Sequence, residues 1–225
     1  MKKWLVSLLL LVSIPSMLLA ACSSSGKQSV SGNNNGGHSR DQVLNIGLFD
    51  EPPTLNPAEV NNVTSIIVLD QIFDGLTRLN PKGEPELAMA SDIQVSKDQT
   101  KYTFTIRDGA KWTNGDPVTA GDFEYAWKYQ IDPNNANTPN AYLFYIIKNA
   151  EEAKKGKASL DQVGIKAIND KTLEVQLKYP VPYFTKLIAN AYFYPVNEKI
   201  AKTNPKWALE AGDNYVTNGP FKMTE

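Results

Sequence analysis

Cys22 is the only cysteine in this chain, and its setting decides what must hold the rest together. It follows Lys2 and Lys3, an apolar run from Trp4 to Leu19, and the small residues Ala20 and Ala21. A short basic region, an apolar core and a small-residue cleavage site make a secretory signal. Ser7, Ser13, Pro15 and Ser16 interrupt the run, which suits a removed segment better than a permanent span. Residues 1–21 are therefore predicted to be a signal peptide. Leu19-Ala20-Ala21-Cys22 resembles a bacterial lipobox, which implies cleavage before Cys22 and a diacylglycerol on its sulfur. An ordinary signal peptide with an incidental cysteine is the alternative. With its one thiol lipidated, the body has no disulfide framework, no thiolate metal site and no cysteine nucleophile. The implied location is the extracytoplasmic face of the cell membrane, with the protein tethered by lipid.

Residues 22–42 then form the lipidated cysteine and a linker. Ser23 to Asp41 is rich in Ser, Gly and Asn and nearly free of apolar side chains, so it cannot bury enough surface to fold. A coil of that length and composition spans roughly 25 Å, enough to hold a folded body clear of the head groups. His38, the only histidine, falls inside it. A Ser-His-Asp site needs a histidine held rigidly beside its nucleophile, and a zinc site usually needs several His or Cys ligands. Neither can be built, so the chain reads as a non-enzyme with no metal and no cofactor. Carboxylate-only chemistry stays open in principle, but no pair of acids stands out. The formal charge of −1 gives no basic stripe for nucleic acid.

The remaining part, of a length for one or two domains, mixes strand and helix signals. Val43 to Phe49 is a predicted strand, ended by Pro52-Pro53. From Asn61 to Phe73 the apolar side chains recur at helical spacing, with Asn62 or Thr64 as cap and Gly75 near the stop. Leu76 to Leu79 is a short strand followed by the turn Asn80-Pro81-Lys82-Gly83. Tyr102, Phe104 and Ile106 alternate with polar residues, the pattern of a half-buried strand. Thr119 and Asp122 resemble a capping box opening a helix through Trp127. Pro139 to Ala153 is predicted as one helix. Val163 to Ile168 and Thr172 to Leu177 flank a hairpin turn. A helix around Phe184 and a strand-like piece from Ala191 to Val196 complete the pattern. No regular βαβ rhythm is visible, so the fold class is α/β, mixed α+β, with a mixed sheet.

From Leu44 to Phe221 the chain resembles the solute-binding proteins of peptide ABC importers, the oligopeptide- and dipeptide-binding family. The resemblance rests on Tyr102-Thr103-Phe104-Thr105-Ile106-Arg107-Asp108-Gly109-Ala110-Lys111-Trp112, continued through Thr113-Asn114-Gly115-Asp116 to Phe123. Thr54-Leu55-Asn56-Pro57, Ile72-Phe73-Asp74-Gly75-Leu76, Pro180-Val181-Pro182-Tyr183-Phe184 and Asn218-Gly219-Pro220-Phe221 add to it. Trp112 reads as a core side chain rather than a ligand contact. The resemblance implies lobe I of a two-lobed periplasmic-binding-protein-like fold, with the second lobe absent from this chain. Residues 43–63 would start the lobe I core, 64–177 would be its inserted subdomain, and 178–225 would return to the core, truncated.

The same resemblance implies capture of oligopeptides and their delivery to an ABC permease by a protein that is a monomer when complete. Such proteins grip an extended peptide largely through its backbone. The implied contacts are Asn61, Asn62, Val63 and Thr64, after the Thr54 motif, and Asn140 and Tyr142 beyond the Thr119 helix. Relatives from enteric bacteria carry an acid where Asn61 stands, and that acid helps neutralise the peptide amine. Asn61 and Asn62 could instead serve only to cap the following helix. At its spacing Tyr142 reads more readily as core, and Glu51 as a solvated loop residue. A nickel complex, haem or oligosaccharide as ligand is the alternative on the same fold. A truncated single lobe without transport activity is another.

Overall fold

The computed structural model describes residues 43–209, 211–213 and 215–224. The predicted signal peptide, Cys22, the predicted linker and His38 lie outside the described residues. From Ile46 onward the chain forms a compact unit by itself.

Helix α1 spans Val63–Ile72 and opens where the polar residues predict: the Asn62 side chain accepts from the Ser65 N–H at 2.8 Å. Strands β1 (Thr77–Leu79) and β2 (Pro85–Leu87) form a hairpin. Its turn is knotted by Asn80, whose Oδ1 accepts from the Lys82 and Glu84 amides at 2.9 and 3.1 Å. Gly83 supplies the φ of +75° that a side chain would resist. The larger sheet has the order β3-β4-β6-β5, built from Ala90–Val95, Lys101–Ile106, Thr172–Gln176 and Ile165–Asn169. Its inner face is set by alternation: Tyr102, Phe104 and Ile106 on β4 are buried, as are Leu173 and Val175 on β6. Phe104 stands opposite Leu173 and Tyr102 opposite Val175.

Helix α2 (Ala120–Ile131) lies over β5 and β6 and buries Phe123, Ala126, Trp127 and Ile131. Its capping box is present, with Thr119 and Asp122 bonding each other's amides. Trp127 anchors the core. Its ring meets Phe193 edge-on at 5.3 Å and its indole N–H donates to the Phe193 carbonyl at 2.8 Å. Short helices α3 (Ala150–Lys154), α4 (Phe184–Leu187) and α5 (Glu198–Thr203) complete the body. Trp112 is buried, as expected, packing on Phe73.

Four expectations are corrected. Residues 43–49 form no strand. Propensity cannot make a strand without a neighbour for its backbone, and Phe49 is 96% exposed. Residues 139–153 are not one helix: a 3-10 segment, Ala141–Ile146, stops where Ile147 bridges Leu177. Asn149 then turns left-handed, at φ +60°, before α3 begins. Pairing with the end of β6 overrides helical spacing there. Residues 191–196 give a 3-10 turn, Ala191–Phe193, and no strand. The Tyr192 and Phe193 carbonyls are taken by Gln130 and Trp127 from α2 rather than by a neighbouring backbone. Finally, every strand pair among the described residues is antiparallel, so the sheets are not mixed. Strands β2 and β3 and helix α5 carry no sequence signal strong enough to predict them.

Candidate ligand-binding rim

The segment before α1 is built from a chain of side-chain-to-backbone bonds. Asn56 is nearly buried and makes the turn: its Oδ1 accepts from the Ala58 amide at 3.0 Å. Its Nδ2 donates to Glu59 at 3.0 Å. The Thr54 hydroxyl accepts from the Asn56 amide, and Tyr215 donates its phenol proton to the Leu55 carbonyl at 2.9 Å. The Thr54-Leu55-Asn56-Pro57 motif is therefore a folded turn, with the Thr54 hydroxyl, the Leu55 carbonyl and the Asn56 side chain all bonded within the protein. Behind it lies a cavity of about 20 Å³ between Asn56 to Ala58, Tyr125, Tyr129 and Gln130 of α2, and Tyr192, Tyr194 and Trp207. That is room for roughly one water. The Gln130 amide oxygen, buried, has no partner among the described residues.

The rim proper begins at Val60, which is fully buried. Asn140 donates from Nδ2 to the Val60 carbonyl at 2.7 Å. This bond, between residues far apart in sequence, brings the two predicted contact segments together. Asn140 is only 8% exposed, so its side chain serves the chain itself. Asn62, in extended backbone (φ −137°, ψ 157°), spends its Oδ1 on the helix cap. Thr64 is buried and its hydroxyl donates to Asp50, pinning the preceding loop.

Between these anchors, alternate positions are left open. Asn61 is exposed, and neither its N–H nor its C=O has a partner among the described residues. Val63 is 69% exposed and Tyr142 is 60% exposed, so the reading of Tyr142 as core is overturned. Ile147 rather than Tyr142 takes the inward place, because the 3-10 segment turns the aromatic outward. Tyr142 lies close enough to Tyr192 to add to the upward push that burial gives the Tyr192 phenol. Glu51 is exposed, in keeping with a solvated loop.

So of the six predicted contacts, Asn62, Thr64 and Asn140 are anchors and Asn61, Val63 and Tyr142 face outward. The open backbone groups of Asn61, beside the extended Asn62 and flanked by an apolar and an aromatic side chain, can bond to an extended chain whose side chains the flanks cover. It offers no general base or nucleophile. Among the described residues no cluster of three or more His, Cys, Asp or Glu could hold a metal ion. A second feature had no sequence signal: a groove of about 360 Å³ lined by Leu48, Pro52, Leu55, Val68, Leu209 and Met223, with Glu51 at its edge. Its walls come from three separated segments, which no local pattern joins. Lys154 was also missed. Its ammonium donates to the Asn135 carbonyl, the Thr138 hydroxyl and the Asp132 carbonyl at 2.7, 2.8 and 3.0 Å. Burial pushes that ammonium below the usual lysine range, with Asp132 opposing.

Comparison with known proteins bears on the family and the fold. Residues 84–225 match the bacterial extracellular solute-binding proteins, family 5, middle part. The chain is 53% identical over 227 residues to the oligopeptide-binding protein OppA of Bacillus subtilis, covering 99% of this chain and 40% of that protein. A substrate-binding domain of an oligopeptide ABC transporter from Bacillus anthracis overlays with a TM-score of 0.74 at 42% identity. It covers 78% of this chain and 34% of its own. OppA of Listeria monocytogenes, solved bound to peptide, overlays at 0.73 with 39% identity, covering 77% of this chain and 34% of its own. The chain thus spans well under half the length of the relatives it matches.

Proposed function

This chain belongs to the bacterial extracellular solute-binding proteins of family 5, and from that membership we propose that it captures oligopeptides and passes them to an ABC permease. The observation that carries the reading is the Asn140 to Val60 bond. It holds two separated segments as one rim and leaves Asn61, Val63 and Tyr142 facing outward. On this reading an extended peptide bonds to the open Asn61 backbone and passes over Asn62 and the first turn of α1 at Val63 and Thr64. Val63 and Tyr142 cover its side chains without specifying them. Asn62, Thr64 and Asn140 contribute by fixing the rim. Asn61 carries no charge, so the peptide amine would find its counter-charge elsewhere in the protein.

The body would be lobe I of a two-lobed receptor. Residues 43–63 and 178–225 would belong to its core, and 64–177 would be a subdomain inserted into that core. The receptor would be lipidated on Cys22 and held outside the cell membrane by its linker, as a monomer. No catalytic step is proposed. Titration calorimetry of the full-length protein with peptides of about two to six residues tests the capture. Affinity across several lengths and compositions supports it. Heat changes with a nickel complex, haem or an oligosaccharide but with no peptide would replace it.

A further inference from the structure

We propose that Lys154 is a positioning residue for the rim, acting as an internal cation that folds the loop 132–138 and so seats Asn140 on Val60. The inference rests on the peptide-capture reading for its consequence but not for its geometry. The loop Asp132-Pro133-Asn134-Asn135-Ala136-Asn137-Thr138 has no helix or strand of its own. It leaves the C-terminal end of α2 and delivers the chain to Asn140 two residues later. The carbonyl groups at a helix end lack partners within the helix and favour a cation. Lys154 supplies one from α3, at the far side of the loop. All three of its ammonium protons are used: on Asp132 at that helix end, on Asn135 in the middle of the loop, and on Thr138 at its close.

The remaining bonds of the loop are short-range. Asp132 accepts from the Asn134 amide at 2.8 Å, and the Asn135 side chain donates back to Tyr129 on α2 at 3.0 Å. Thr138 donates to the Asn135 carbonyl while accepting from Lys154, so the ammonium orders both groups at once. Among the described residues Lys154 is the one side chain from outside α2 and the loop that reaches these acceptors. Thr138 is buried, and its carbonyl accepts the Ala141 amide that starts the 3-10 segment. The path from ammonium to rim is therefore continuous: Lys154, Thr138, Asn140, Val60. A tripod of acceptors suits a compact ammonium and not a planar guanidinium. Lys154→Arg is accordingly expected to behave as a disruption.

The test uses the full-length protein carrying Cys22→Ser as the parent, into which Lys154→Cys is introduced, modified while unfolded and then refolded. Bromoethylamine rebuilds a side chain of lysine length that ends in an ammonium. Propyl iodide builds the same length without charge. Two readouts are taken: peptide affinity, and amide hydrogen exchange in 60–64 and 132–142. The propyl form is expected to bind peptide about tenfold more weakly, a change of the size reported for coupled positions, with faster exchange in both segments. The aminoethyl form should return toward the parent in both. A propyl form that matches the parent in exchange would overturn the inference, as would an aminoethyl form no better than the propyl one. If the parent binds no peptide, the capture reading fails alone and exchange still decides the role of Lys154. If the modified protein does not refold, Lys154→Met carries the same readouts: parent-like exchange overturns the inference, and faster exchange in both segments supports it.

Discussion

The stretch from Tyr102 to Phe123 and the rim at 60–64 and 140–142 use polar residues in opposite ways. In the first, polar atoms are consumed within the fold. Asp122 alone accepts from the Thr119 amide and hydroxyl, the Trp112 indole and the Glu198 amide. Nothing of it is left for a ligand, and burial pushes its carboxyl up against those bonds. At the rim, anchored and open positions alternate: Asn62 caps while Asn61 faces water, and Thr64 pins a loop while Val63 is exposed. The sequence motif that most strongly marks the family is thus scaffold. The proposed site lies where motif strength is weaker; on the capture reading, a surface for many peptides would not be fixed by its own side chains.

The largest effect should come from the scaffold. Asp122→Ala strips an acceptor from four donors, three of them on one oxygen. Buried donors left without partners cost about 1–3 kcal/mol each, less when shared, so a loss of about 4 kcal/mol is expected in urea unfolding. A loss under about 1 kcal/mol would mean water replaces the carboxylate and the hub is not structural. Gly219→Ala should come next at about 3 kcal/mol, at the upper end for overpacking. Gly219 donates to the Ile72 carbonyl at 2.8 Å, and a Cβ there would run into the backbone of Ile72 and Phe73. Asn218 beside it clasps both the amide and the carbonyl of Asp74. Thermal melting of the variant checks the clamp.

At the rim the contrast becomes testable one atom at a time. Asn140→Ala orphans the buried Val60 carbonyl and should cost about 2 kcal/mol, together with a loss of peptide affinity. Asn62→Ala removes a helix cap and should cost about 1 kcal/mol, while Asn61→Ala should leave stability within about 0.5 kcal/mol. If both neighbours cost the same, the alternation of anchor and open position is wrong.

Much of the scaffold was readable because local chemistry sets it. The Thr119 capping box, the Asn62 cap, the Asn80 turn and the Tyr102-Phe104-Ile106 alternation need only neighbours in sequence. The errors share a cause, namely long-range partners. Ile147 reads as helical until Leu177 bridges it, and Tyr192-Phe193 reads as strand until Gln130 and Trp127 claim its carbonyls. The rim shows the same limit. Its residues could be named from the family resemblance, but Asn140 on Val60 and Lys154 on the loop join segments that no spacing rule connects. Residues 43–49 carry strand composition but pair with no strand among the described residues.

The smallest effect tests α1, the helix that opens at the rim. Asp70, an exposed residue of this helix, accepts the Tyr194 phenol proton at 2.7 Å, and partial desolvation of its carboxyl pushes it upward despite that bond. Asp74 is also pushed up by burial, with Arg78 and Arg107 opposing. A native carboxyl that holds its proton more tightly than the unfolded one makes the folded state bind more protons. Stability is then full below the ordinary aspartate value of 3.8 and falls as pH rises through the raised native value. Asp70→Asn keeps an oxygen for Tyr194 but never ionises, so part of that fall should vanish. Urea unfolding near pH 4 and pH 7 should show the variant gaining on the parent as pH rises. A parent that gains on the variant instead would mean that the Tyr194 bond outweighs desolvation. Asp70 would then belong with Asn62 and Thr64, among the polar groups that hold the rim from behind.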